Sequence, residues 1–305
     1  MPALQSPLRI GTRGSPLALW QATAVGAALA NVGVTTDVVP IRTTGDRITD
    51  RPLAESGGKG LFTKEIDEAL LDGRIDLAVH SAKDLPTGLP VNINLAATLP
   101  RADVRDAFLS PRAASLTSLP QGAVIGTASL RRAALALRLR PDLTIVPLRG
   151  NVETRLRKLG EGQADATLLA MAGLTRLGLA DRVTSVLAID QWLPAPGQGA
   201  IAITARADDA AMLAVLAQID HRPTSLALSA ERAFLAVLDG SCRTPIGGLA
   251  EIDGDALRFR GLIVKPDGSE AHEVERQGAA ADAVALGTDA GEELAKRGGA
   301  DFFAG

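Results

Sequence analysis

One pattern occurs twice in the chain, and it limits the architecture more than any other feature. RIGTRGS, from Arg9 to Ser15, and VIGTAS, from Val124 to Ser129, each lead from a short apolar run through a tight turn to a serine that can cap a helix. In the first copy Leu8 to Thr12 reads as a buried strand. Ser15 and Pro16 then supply the N-cap and first-turn proline of a helix over Leu17 to Leu29. TTDVVPIR follows as a second strand, Thr63 to Leu71 as a helix, IDLAVH as a third strand and NINLAATL as a fourth. The second copy repeats this grammar with a helix over Leu130 to Leu139, the strand LTIVPLR, a helix over Val152 to Leu159 and the apolar strand ATLLAMAG. Its lead-in GQAD parallels the GRID before IDLAVH. Strands alternating with helices imply mainly parallel sheets, and two such units in series imply a cleft lined by loops at the carboxyl ends of their strands.

The segment AIAITAR and a helix over Asp209 to Gln218 return the chain to the first unit. Beyond Arg222 the pattern changes to a helix ending at Asp239-Gly240, short strands from Thr244 to Val274 and a helix from Ala280 to Lys296. The expected division is an α/β domain of residues 1–99 and 200–218, a second α/β domain of 100–199, and a small α+β domain of 219–305.

Composition narrows the function. A chain of 305 residues that is 46% hydrophobic, without a membrane-length apolar run or an export signal, is expected to be globular and cytoplasmic. A net charge of -3 and only 3% aromatic residues argue against nucleic acid as partner. His80, His221 and His272 have no metal-ligand spacing, so no metal site is expected. The single cysteine, Cys242, can form no internal disulfide and is either inert packing or a nucleophile. It lies in the loop DGSCRTPIG, where Arg243 would favour a thiolate, and no histidine pairs with it by spacing.

Ser15, Ser129 and Asn151 mark three helix N-termini, each a place where free N–H groups can meet an anion. Arginines accompany them: Arg13 before the first, Arg131 and Arg132 inside the second, Arg149 and Arg155 around the third. Arg176 is placed at the opening of a fourth helical stretch. Singly, each is an ordinary surface charge; together they suit a ligand with several carboxylates. HSAKDLP puts Lys83 beside Asp84 at a strand end, which fits a proton-handling pair and also fits an ordinary turn. The polar loop Asp46 to Gly60 reads as a lid. Its GGKG lacks the spacing of a phosphate loop, which excludes nucleotide binding on that motif.

Taken together, RGSPLALWQ, TTGD, GGKGLFTKEID, VHSAKDLP, IGTASLRR, LRGNVETRL, LPAPGQGA and SCRTPIG resemble the hydroxymethylbilane synthase (porphobilinogen deaminase) family, in the family's order and from about Leu8 to Ile246. The resemblance implies two α/β domains built like periplasmic solute-binding proteins and flanking a cleft, plus a small C-terminal domain. It implies a dipyrromethane cofactor held on Cys242 by a thioether, with porphobilinogen units added singly: ammonia leaves, an azafulvene forms, and the terminal pyrrole of the chain attacks it. Water then releases the linear tetrapyrrole. By the same resemblance Asp84 is the acid/base. Arg13, Arg131, Arg132, Arg149, Arg155 and Arg176 hold acetate and propionate groups, with Ser15, Lys59, Ser81, Lys83, Thr127 and Ser129 in support, and Phe62 packs on a pyrrole. A monomer that passes its product to uroporphyrinogen-III synthase is also implied. Ser241 and Arg243 depart from the commoner GGCQ around the cysteine. Two rival readings keep the same residues: a two-lobed carboxylate receptor, against which the missing export signal counts, and a cysteine hydrolase or amidotransferase, which lacks a base for its thiol.

Overall fold

In the computed structural model the described residues are 7–47, 60–238, 244–299 and 301–303. Their strands, in chain order, are β1 (Leu8–Arg13), β2 (Thr36–Ile41), β3 (Leu77–Ser81), β4 (Ile93–Thr98), β5 (Asp106–Leu109), β6 (Val124–Gly126), β7 (Thr144–Val146), β8 (Ala166–Ala170), β9 (Ser185–Val186), β10 (Ile201–Arg206), β11 (Ile246–Asp253), β12 (Ala256–Val264) and β13 (Ala271–Ala279). The helices are α1 (Pro16–Ala30), α2 (Thr44–Arg47), α3 (Lys64–Leu71), α4 (Leu130–Leu139), α5 (Val152–Gly160), α6 (Met171–Arg176), α7 (Ala210–Leu216), α8 (Arg222–Val237) and α9 (Ala283–Gly298). The chain forms two compact units, Met1–Ala102 with Gly199–Ser225, and Asp103–Gln198 with Leu226–Gly305.

Each unit holds a five-stranded sheet, and the two sheets correspond strand for strand: β2-β1-β3-β10-β4 in the first and β7-β6-β8-β5-β9 in the second. In each, three parallel neighbours (β2, β1, β3 or β7, β6, β8) are followed by a strand running the other way, β10 or β5. The fifth strand, β4 or β9, runs with the first three, so each sheet is mainly parallel in direction with one reversed strand that makes it mixed. The reversed strand is supplied by the segment adjoining a passage between the units, not by a βαβ crossover. β5 escapes sequence reading because DAFL is four residues long and buried throughout, too short to show a period.

The repeated motif has a packing cause. A Cβ at Gly11 would lie 2.2 Å from Ile75 Cδ1, and one at Gly126 would lie 3.0 Å from the Cβ of Ala164. Ile75 and Ala164 are matching residues of GRID and GQAD. The aspartates that follow them repeat one device: Asp76 accepts the Arg9 backbone N–H at 2.8 Å and Asp165 accepts that of Val124 at 2.8 Å. Glycine in the strand lets the neighbouring strand's lead-in approach, and the aspartate then pins the strand start.

Ser15 caps α1 by accepting the Ala18 N–H, with Pro16 as the first helical residue. Ala18, Gln21, Ala22, Val25 and Leu29 are the buried face of that helix, at steps of three and four. ATLLAMAG is only partly a strand: the backbone turns helical at Met171, so Arg176 ends α6 instead of opening a helix. In the second unit β11, β12 and β13 form an antiparallel sheet packed by α8 and α9. Leu249, Leu262 and Val264 of that sheet share a core with Phe108, Ile125 and Trp192.

Candidate functional site

Because β1 and β3 are parallel neighbours, their carboxyl ends open on the same edge of the first sheet. A pocket lies there, lined among others by Arg13, Ser15, Gln21, Phe62, Ser81 and Asp84. The Thr12 hydroxyl donates to the Val79 carbonyl at 3.0 Å and ties the two strands at the pocket floor. Gln21, buried on α1, donates from Nε2 to the Ser81 hydroxyl at 2.9 Å, which fixes that hydroxyl at the strand end. A single 3-10 turn, Ala82–Asp84, then carries Asp84 into the open, where it is the one carboxylate among the lining residues. Lys83 is half-buried on the same turn and does not line the pocket.

Another part of the lining is built around Phe62. The Arg13 guanidinium carbon stands 4.2 Å from the centre of its ring, a cation–π contact that orients the arginine. Gly45 of α2 packs against the same ring, so closely that a Cβ there would fall 2.3 Å from it. Thr44 is held in turn by Glu65, which accepts its N–H at 2.9 Å and also its hydroxyl. Both ends of the proposed lid are thereby anchored. Of the loop Asp46 to Gly60, residues 48–59 lie outside the described residues, Lys59 among them.

His80 lines the pocket too, but it cannot serve as a charged acid near neutrality. Burial, helped by the Arg13 charge, pushes its pKa down to about 4, and Nε2 lies 3.3 Å from the Thr204 hydroxyl. A folded pKa below the unfolded value of 6.5 means that His80 contributes stability fully above pH 6.5, and that this is lost as pH falls toward about 4. The contribution is about 3 kcal/mol. Asp67, buried on α3 and pushed up to about 6 by desolvation, acts in the opposite sense, its contribution fading as pH rises through that value. His80→Gln is therefore expected to flatten the acid limb of a melting-temperature titration between pH 6.5 and 4. Curves for mutant and wild type that stay parallel across that window would show that His80 does not titrate there.

The second unit repeats the arrangement. β6, β7 and β8 are parallel, so Thr127 and Ser129 after β6, Arg149 and Asn151 after β7, and α6 after β8 emerge at one edge of the sheet. Thr127 is buried and its hydroxyl accepts the Ser129 N–H at 3.1 Å; Ser129 in turn caps α4. Asn151 caps α5 by accepting the Thr154 N–H at 2.8 Å, and Arg155 Nε donates to the Gly150 carbonyl at 2.8 Å. Arg149 is half-buried beside them, and its carbonyl accepts Lys158 Nζ at 3.1 Å. Arg176 is half-buried at the end of α6, where desolvation lowers its pKa.

Arg131 and Arg132 depart from a surface-charge picture. They are 3% and 5% exposed, and both pair with Asp106, which is fully buried. Burial opposes the Asp106 charge, but the two guanidiniums and their hydrogen bonds outweigh it and hold the carboxyl far below the usual carboxylate range. Each arginine also donates to a buried backbone carbonyl, Arg131 to that of Leu193 at 2.7 Å and Arg132 to that of Leu168 at 2.9 Å, so both are tied into the fold of this unit. Asp106, Trp192 and Gln198 are not legible in the sequence as site residues, because Asp106 meets the α4 arginines, and Trp192 and Gln198 meet Asp106, only through long-range folding. Cys242, with Ser241 and Arg243, lies outside the described residues.

These features define an α/β protein with a single-carboxylate pocket in one unit and a buried, cation-rich cluster in the other, chemistry suited to a small ligand bearing several carboxylates. Two family profiles match the chain: "Porphobilinogen deaminase, dipyromethane cofactor binding domain" over residues 8–214, and "Porphobilinogen deaminase, C-terminal domain" over 225–296. A porphobilinogen deaminase of Nitrobacter hamburgensis is 61% identical over 298 residues, covering 96% of this chain and 94% of the relative. One of Paracoccus denitrificans is 56% identical over 307 residues, covering 99% and 98%. Among solved structures, a periplasmic substrate-binding protein of an ABC transporter from Coxiella burnetii aligns with a TM-score of 0.43 at 16% identity, over 74% of this chain and 96% of that one. The chain belongs to the porphobilinogen deaminase family, transferases of tetrapyrrole synthesis that make hydroxymethylbilane on a dipyrromethane cofactor. No helix among the described residues is long and apolar enough to cross a membrane.

Proposed function

We propose that in this chain Asp84 is the proton-transfer group, that Cys242 holds the dipyrromethane primer through a thioether, and that the arginines of the second unit bind carboxylates. The observation that carries the reading is the pocket at the carboxyl ends of β1 and β3, where Asp84 is the one lining carboxylate and the histidine beside it is held neutral. The residues present fit a carboxylated cofactor: among the described residues, Arg131 and Arg132 each keep a buried Nε–H without a partner, and one carboxylate answers their two charges. Arg131, Arg132, Arg149, Arg155 and Arg176 would hold it, aided by Thr127 and Ser129. When bound, the dipyrromethane supplies a pyrrole carbon as nucleophile.

Porphobilinogen enters with its aminomethyl group toward Asp84. Arg13, fixed over Phe62, takes a carboxylate of the substrate, and the Ser15 and Ser81 hydroxyls orient it. An Asp84 oxygen passes a proton to the leaving nitrogen, the C–N bond breaks, and ammonia departs. The same carboxylate then stabilises the cation left on the substrate ring and accepts the proton that restores aromaticity after the new C–C bond forms. Lys59 and Lys83 support the ligand carboxylates. The protein works as a cytoplasmic monomer and passes its product to uroporphyrinogen-III synthase. Incubation with porphobilinogen, followed by ammonia release, tests the reading: wild type releases ammonia with turnover, whereas Cys242→Ser is expected to fold and release none, because a hydroxyl is a far poorer nucleophile near neutrality. Sustained release by Cys242→Ser would contradict it.

A further inference from the structure

Arg131 and Arg132 are consecutive residues of one helix, and consecutive side chains on a helix leave the axis about 100° apart, so they do not meet by themselves. Here both guanidiniums converge because one buried carboxylate takes both. Asp106 Oδ2 accepts Arg131 Nη2 at 2.6 Å and Trp192 Nε1 at 2.8 Å. Its Oδ1 accepts Arg132 Nη2 at 2.7 Å and Gln198 Nε2 at 2.8 Å. The acceptor capacity of Asp106 is thus filled while the arginines remain short of partners. Among the described residues each Nε–H has none, and two guanidiniums against one carboxylate leave the cluster with one positive charge in excess. Burial makes that excess costly and an incoming carboxylate the natural complement.

We propose that Asp106 is a positioning residue for the transferase reaction: it draws Arg131 and Arg132 together and leaves the pair one negative charge short, so that the cluster takes up a single carboxylate of the pyrrole ligand. The proposal rests on the reading that these arginines face ligand carboxylates, and assigns the convergence to Asp106, steadied by Trp192 and Gln198. Asp106→Asn keeps the shape but removes the charge and sets an amide N–H₂ against a guanidinium. Trp192→Phe removes one donor to Asp106 and keeps the aromatic bulk.

The test follows the mass gained by cofactor-free protein on incubation with porphobilinogen, alongside the indole N–H signals of the two tryptophans. The Trp192 signal is assigned by its absence in Trp192→Phe. Wild type is expected to gain the cofactor mass with a displaced Trp192 N–H signal; folded Asp106→Asn is expected to load roughly tenfold more slowly, and Trp192→Phe to be slowed by a smaller factor. A purely structural Asp106 would lower the melting temperature and leave both the loading rate of folded protein and the Trp192 shift untouched, and that result would overturn the proposal. Should Asp106→Asn fail to fold, Trp192→Phe decides: loading at the wild-type rate, with no Trp192 displacement in wild type, overturns it. Wild-type protein that gains no mass at all refutes the underlying reading of the site instead.

Discussion

Asp84→Asn is expected to keep the fold and the Arg13 contact yet lose turnover by roughly 100-fold or more. Asp84 is exposed at the end of a 3-10 turn, so the amide fits without strain and stability should change little. Among the residues lining the pocket Asp84 is the one carboxylate, and His80 is held uncharged near neutrality by burial. An amide neither gives a proton to the leaving amine nor balances the cation that follows. Asp84→Glu keeps the charge but moves it by a methylene, and a severe but smaller loss is expected. Single-turnover ammonia release, from protein whose adduct has been confirmed by mass, separates chemistry from cofactor loading. Near-normal release by Asp84→Asn would move the acid/base role elsewhere.

Asp106→Ala carries the largest expected cost to stability, about 3–5 kcal/mol, because it strands two buried guanidiniums, an indole N–H and an amide around an empty centre. Arg132→Leu should cost less, about 1–3 kcal/mol. It orphans the Leu168 carbonyl acceptor but leaves Asp106 and Arg131 as a one-to-one pair. The order of the two variants is the sharper part of the prediction, since both substitutions remove equally many side-chain heavy atoms and a simple count would rank them the same. Denaturant unfolding of the cofactor-free proteins measures both. A loss below about 1 kcal/mol for Asp106→Ala would show that the cluster is not a buried ion network in solution.

Local signals carried much of this structure. Ser15 and Pro16 announce α1, and the LRRAALALRL helix runs from Leu130 to Leu139 as its periodicity implies. The faint echo between GRID and GQAD reflects a shared strand-start device, Asp76 on Arg9 and Asp165 on Val124. What sequence could not reveal depends on distant segments. The reversed strands β5 and β10 take their direction from where the chain passes between units, and nothing within DAFL encodes that. The burial of Arg131 and Arg132 depends on a counter-charge 25 or 26 residues upstream and on Trp192 and Gln198 far downstream. Arginine read alone defaults to the surface, and only the folded cluster reverses that default. In the pocket, Arg13, Ser15, Phe62, Ser81 and Asp84 do come together, while Gln21, which holds Ser81, was hidden as one more position on the buried face of α1.

The central claim is that this chain builds its product on a primer it carries covalently at Cys242. Intact-mass measurement of freshly purified protein tests it most directly. The expected spectrum shows wild type heavier than its sequence by two linked pyrrole units, the excess mapped by proteolysis to the peptide containing Cys242, and Cys242→Ser at its bare sequence mass. Wild-type protein that is fully active at its bare sequence mass would contradict the account.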